Sequence, residues 1–145
     1  MSGGGSFCFV EGATSDLAFT ASGESLSEVF HAAAAALLAA TVERPEAVLP
    51  TLLRSLHFSD TDLELLLLRF LNELIYLRDA EGLVLRPLRV ACRADDPIEL
   101  AAELAGELLD PVRHGLACDV KAATAHGLAV VRVGAGWQAN VTLDV

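Results

Sequence analysis

Cysteine is sparse: Cys8, Cys92 and Cys118 form no CxxC pair. An odd, unspaced set of thiols supplies neither a disulfide framework nor a zinc-binding pattern, and predicts small buried hydrophobes in a reducing, cytoplasmic setting. Basic residues are scarce as well. Ten Lys and Arg stand against twenty Asp and Glu, a formal net charge of −10. A field of that sign repels a phosphate backbone and argues against independent nucleic-acid binding. Long apolar runs are missing too. The longest, "AAAAALLAA" at residues 32–40, is too short to cross a hydrocarbon core of roughly 30 Å at about 1.5 Å per residue. No membrane association is expected. The opening "MSGGGS" has neither a basic region nor an apolar region of a signal peptide, so residues 1–6 are read as a flexible tail. Finally, no phosphate loop, dinucleotide fingerprint, HExxH or GxSxG occurs, which removes the commonest enzyme signatures.

What remains is a single domain over residues 7–145, long enough to bury most of its surface without staples. Residues 7–10 and 17–21 are short apolar runs separated by a polar turn, and predict paired strands. In "ESLSEVFHAAAAALLAATV", Ser25 and Glu28 have the spacing of a capping box. Leu26, Val29, Phe30, Ala33, Leu37 and Ala40 recur at helical spacing as one buried face, with His31 expected on the solvated side. "LPTLLRSLHF" reads as extended. "SDTDLELLLLRFLNELIYLRD" predicts a second helix, capped by Ser59 or Asp60 and apolar nearly all round. Beyond it the chain changes period. "IELAAELAGELL" favours helix by propensity, but its neighbours and the Asp-Pro that ends it favour a strand. The order predicts an α+β domain, two helices packed on a mixed or antiparallel sheet.

Polar residues offer few candidate sites. Asp119, Lys121, Thr124 and His126 cluster in "CDVKAATAHGL". On a strand, Asp119 and Lys121 face one side and Thr124 and His126 the other, so no compact triad forms from them alone. A surface ion pair between Lys121 and Asp119 is the simple reading of the first two. Asp16, in the early turn, has the ordinary reading of an Asx turn. Its alternative is convergence with Asp144 and the terminal carboxylate of Val145, should the last strand lie beside the first. Such a group of oxygens would repel unless a hard divalent cation sat among them.

Four blocks in order resemble the archease family. The early turn "ATSDLA" matches in Thr14 and Asp16, with Ala13 and Ala18 where the family has His and Gly. "FLNELIYLRDAEGLVL" at 70–85, "KAATAH" at 121–126 and the ending Leu143, Asp144, Val145 are the other three. The resemblance implies an α+β domain, a divalent metal ion (calcium, magnesium or manganese) on Asp16 and Asp144 with Val145 as a further ligand, and a functional role for the Lys121 block with Thr124 and His126. It also implies a partner, an RNA ligase of the RtcB type acting in tRNA splicing and RNA repair. The chain would promote guanylylation and turnover of that ligase without being an enzyme. Two alternatives stand beside this: a metal-dependent phosphoester hydrolase, and a chaperone-like interaction module.

Overall fold

The computed structural model describes residues 4–10 and 16–145. In chain order the elements are β1 (Ser6–Val10), β2 (Leu17–Gly23), α1 (Leu26–Thr41), a 3-10 turn (Pro45–Ala47), β3 (Leu52–Asp60), α2 (Leu63–Glu81), β4 (Leu83–Arg93), β5 (Ile98–Leu108), α3 (Pro111–His114), β6 (Ala122–Val133) and β7 (Gly136–Asp144). The strands form two sheets where one was expected. One runs β1-β2-β7-β6 and the other β3-β5-β4, and every pairing is antiparallel. α1 joins β2 to β3 across the two sheets, whereas β3 and β4, on either side of α2, belong to one sheet, and both helices contact strands of both sheets.

α1 follows its periodicity. Ser25 is its N-cap and accepts a hydrogen bond from the Glu28 N–H at 3.2 Å, while the Glu28 carboxylate reaches back to the Glu24 N–H at 3.0 Å. All six residues of the predicted stripe are buried. His31 is the exception to the expected layout: it is half-buried in a groove against Phe7 and Arg86, and burial lowers its pKa. α2 begins later than predicted. Ser59 and Asp60 are still paired with Glu99 and Ile98 in β3, so the cap passes to Asp62, which accepts from Glu64 N–H at 3.0 Å and Leu65 N–H at 3.1 Å. Gly82 ends the helix in the left-handed region at φ 71°, where glycine carries no Cβ penalty.

The ambiguous "IELAAELAGEL" is β5, the central strand of its sheet. Propensity lost here to burial and pairing on both edges: Leu100, Ala102 and Leu104 alternate inward onto the core. Phe30 of α1 and Phe70 of α2 stack at 6.3 Å between ring centroids, joining the two helices at the centre. Cys92 and Cys118 pack against the core as expected, but Cys8 is exposed on the edge strand β1. Burial pushes the Cys92 thiol up to about 11. Among the described residues, no helix is long and apolar enough to cross a membrane.

Candidate functional site

The two ends of the chain meet in the first sheet. β2 pairs with β7 from Gly23 and Trp137 to Leu17 and Leu143, and the next residues outward on the two strands are Asp16 and Asp144. Both are exposed. Leu143 is fully buried, so alternation along β7 turns Asp144 to the opposite, solvent-facing side. On the other flank of β7, Asp144 pairs with Ala122 of β6, and the Lys121 N–H donates to the Asp144 carbonyl at 2.7 Å. Three segments far apart in sequence therefore finish at one end of one sheet. Val145, next in the chain, packs in part against the core. Ala13 and Thr14 lie outside the described residues.

The 121–126 block is built differently from a plain strand. Asp119 and Lys121 precede β6, and the expected Lys121–Asp119 ion pair is not made. Asp119 pairs instead with Arg78 at 3.6 Å, because Arg78 reaches from the last turns of α2 to donate to the Val120 carbonyl and to Asp79. Lys121 is the only lysine in the chain, and its side chain is exposed. Within β6 the register with β7 breaks between Thr124 and Ala129, so four residues, 125–128, oppose Val141 alone. This bulge carries His126 into solvent, next to Gly127 at φ 67°. The Thr124 hydroxyl donates to the Thr142 carbonyl at 3.3 Å and accepts from the His126 N–H at 3.4 Å. Thr124 thus steadies the bulge and His126 rides on it; strict alternation of faces does not apply there.

A residue that the sequence reading passed over holds this block in place. Asn72 of α2 donates its amide to the Ala123 carbonyl at 3.1 Å and accepts from the Ala123 N–H at 2.9 Å. Two turns earlier on the same helix, Glu64 accepts from the Val130 N–H at 3.1 Å. β6 is an edge strand, and α2 supplies the partners its outer edge lacks on either side of the bulge. The signal was present in "FLNEL": an Asn inside an apolar helix stripe must be bonded when partly buried.

The loop that leads to Lys121 is tied down at its other end by Glu107. Its carboxylate accepts from Arg113 at 2.6 and 2.7 Å, from the Leu49 N–H at 2.7 Å and from His114 Nε2 at 2.8 Å. His114 is fully buried, and its Nδ1 accepts from the Asp110 N–H at 3.0 Å. Nε2 therefore carries the imidazole proton. Hydrogen bonds from Arg113, then Leu49 and His114, hold the Glu107 carboxyl down at about 2.

Among the described residues, no group of three or more His, Cys, Asp or Glu side chains stands at metal-binding spacing. Among the described residues, the chemistry at the strand ends is that of two exposed carboxylates beside the chain terminus, with one lysine just before the neighbouring strand β6 and one imidazole on its bulge. The carboxylates are hard oxygen donors and the lysine is a cationic contact.

Comparison with known proteins agrees with this layout. Residues 7–145 match the Archease protein family (MTH1598/TM1083). The archease of Pyrococcus abyssi is 35% identical over 139 residues, covering 91% of this chain and 94% of its own, and that of Methanosarcina mazei is 31% identical over 134 residues with 91% of each covered. Among solved structures, protein 1598 of Methanobacterium thermoautotrophicum superposes with a TM-score of 0.81 at 28% identity, covering 98% of this chain and 99% of that one. A Thermotoga maritima protein described as an archease and possible chaperone shares the fold with a TM-score of 0.65 at 22% identity, over 94% and 95% of the two chains. With residues 7–145 matched by the family and relatives of 31–35% identity over 91% of the chain, the chain belongs to the archease family.

Proposed function

We propose that this protein is an accessory protein of an RNA ligase of the RtcB type, promoting its guanylylation and turnover in tRNA splicing and RNA repair, and that it catalyses no reaction of its own. The observation that carries the reading is the approach of Asp16, Lys121 and the chain end at one sheet end, with Asp16 and Asp144 as the next residues after the Leu17–Leu143 pair. These residues belong to blocks on which the family resemblance rests. Surface charge supports the partner: a chain of net charge −10 is steered toward a basic surface such as an RNA-binding cleft.

The donor set fits a divalent ion of hard character. Asp16, Asp144 and the Val145 terminus would hold it through oxygen atoms, and the bound ion would offset carboxylate repulsion and supply positive charge at the docking face. Two side-chain carboxylates are few for a caged calcium, which takes six to eight oxygens. They suit magnesium better, since it keeps several waters and takes one or two carboxylates. Lys121, exposed beside them, would contact the ligase, with Thr124 and His126 shaping the adjoining bulge. The cytoplasm is the compartment this role implies.

The test is ligase guanylylation and multiple-turnover joining with the native protein, Asp16→Ala and Asp144→Ala, alongside calorimetric titration of magnesium, calcium and manganese. Loss of stimulation and of ion binding in both variants, with unfolding unchanged, is the expected result. Full stimulation by both variants would overturn the metal-dependent reading.

A further inference from the structure

Lys121 is the one lysine in a chain with twenty acidic residues, and its ammonium makes no ion pair among the described residues. An ammonium in so acidic a chain finds a carboxylate unless something prevents it, and the nearest in sequence, Asp119, is two residues away. Val120 between them is fully buried while Asp119 and Lys121 are exposed, so the two charged side chains flank the same buried residue. Residues two apart on an extended run are separated by roughly 7 Å, a span that a lysine and an aspartate can close.

Arg78 is what intervenes. It lies in the last turn of α2 with its side chain only 13% exposed, and its Nη2 donates to the carbonyl of Val120, in the peptide that leads into Lys121. The same nitrogen donates to Asp79 at 2.8 Å and stands 3.6 Å from the Asp119 carboxylate. A guanidinium offers five donors in a planar fork, enough to hold one carbonyl and draw two carboxylates at once. The run itself is anchored on both sides of Asp119. Ala117 and Cys118 donate their N–H groups to the Thr41 and Ala40 carbonyls at 3.0 and 2.9 Å, and Lys121 donates to Asp144 at 2.7 Å. We propose that Arg78 is a positioning residue for Lys121: by gripping the Val120 carbonyl and drawing the Asp119 carboxylate, it leaves the lysine ammonium unpaired for an anionic group of a docked partner. That this partner is the ligase rests on the reading above, whereas the diversion of Asp119 does not and is tested without ligase.

The experiment is carbon-13 NMR relaxation at the lysine ε-methylene of the full chain grown on labelled lysine, which reports Lys121 alone because the chain has no other lysine. The native protein is compared with Asp119→Asn, Arg78→Gln and the double variant. Arg78→Gln keeps an amide donor and removes the charge that draws Asp119. The methylene should be more restrained in Arg78→Gln than in the native protein, should lose that restraint in high salt, and should return to native mobility in the double variant. Asp119→Asn alone changes a side chain that is 84% exposed, so it spares the fold, and it should leave the lysine as it is in the native protein. Ligase stimulation should follow the same order: about threefold to fivefold lower in Arg78→Gln, the most that an exposed ion pair withholds, and restored in the double variant. A merely structural Arg78 would not be rescued by removing a carboxylate. Unchanged lysine mobility in Arg78→Gln, restraint that survives in the double variant, or a lysine freed by Asp119→Asn alone would each overturn the proposal. Mobility that follows this order while stimulation does not would uphold the positioning and count against the ligase as the partner.

Discussion

Asn72 and Ala123 are bonded as two neighbouring strands would be: the side-chain amide of one meets both the N–H and the carbonyl of the other, at 2.9 and 3.1 Å. The helix thereby substitutes for a missing strand at the edge of β6. Asn72→Ala removes both partners at once and leaves the Ala123 backbone to find water in a partly buried place. A loss of about 1–3 kcal/mol is expected in urea unfolding. Hydrogen exchange at Ala123 should also quicken more than at Ala139, which is bonded within the sheet interior. An unchanged exchange rate at Ala123 would show that the edge needs no such partner.

Glu107 makes stability depend on pH in a defined window. Its carboxyl is held at about 2 against an ordinary value of 4.5, chiefly by Arg113, then by the Leu49 N–H and His114. A carboxylate whose pKa is lower when folded contributes in full above its unfolded value and loses that contribution as pH falls through the folded one. Denaturant unfolding of the native protein and Glu107→Gln should therefore differ most at neutral pH, and the gap should close as pH drops from about 4.5 toward about 2. A gap that stays constant over that range would place the effect in packing and not in charge.

Gly106 is a steric requirement of the second sheet. A Cβ built there would lie 1.8 Å from the Val84 carbonyl oxygen of the paired strand β4. The obstacle is backbone, so no side chain can swing aside. Gly106→Ala should destabilise by about 3 kcal/mol or more, the upper part of the range for overpacking. It should also disturb amide resonances along Val84 and Leu85 before those of β2 or β7. Measurement of unfolding free energy and the shift pattern together separates this clash from a general loss of stability.

Much of the fold could be read from residue order because its determinants are local. The α1 stripe, the Ser25–Glu28 cap and the hairpin of β1 and β2 depend on spacing within a few residues. β5 was legible through its neighbours and its Asp-Pro ending, since its composition alone reads as helix. The division into two sheets was not legible: β2 and β3, on either side of α1, lie on different sheets while β3 and β4, on either side of α2, share one, and sequence order does not distinguish the two cases. At the candidate site the expectation placed the last strand beside the first; β7 pairs instead with the second strand, β2, and that pairing brings Asp16 and Asp144 to neighbouring positions. The Arg78 contact to Asp119, the bulge under His126 and the Asn72 clamp were not anticipated. Each depends on α2 crossing β6, and no sequence spacing encodes that crossing. His31 was misplaced for the same reason, because its partners Phe7 and Arg86 come from two different sheets.

Lys121 separates folding from function most cleanly. Its backbone N–H is fixed on the Asp144 carbonyl, while its side chain, the only lysine ammonium in the protein, is exposed and absent from the ion pairs of the neighbouring Arg78 and Asp119. Replacing the side chain leaves the backbone bond in place, so Lys121→Ala should shift unfolding by no more than about 0.5 kcal/mol. If the ammonium contacts the ligase, stimulation of guanylylation should fall about tenfold, the equivalent of one charged contact of about 1.5 kcal/mol. Lys121→Arg should recover part of that loss by keeping the charge, though a guanidinium presents its donors in a fixed fork and a lysine does not. Asn72→Ala, by loosening the strand that carries Lys121, should depress stimulation through stability and leave the ratio of arginine to alanine variants unchanged. Stimulation unaffected in Lys121→Ala, with the fold intact, would remove the lysine from the docking face and leave the carboxylate end of the sheet to account for the contact.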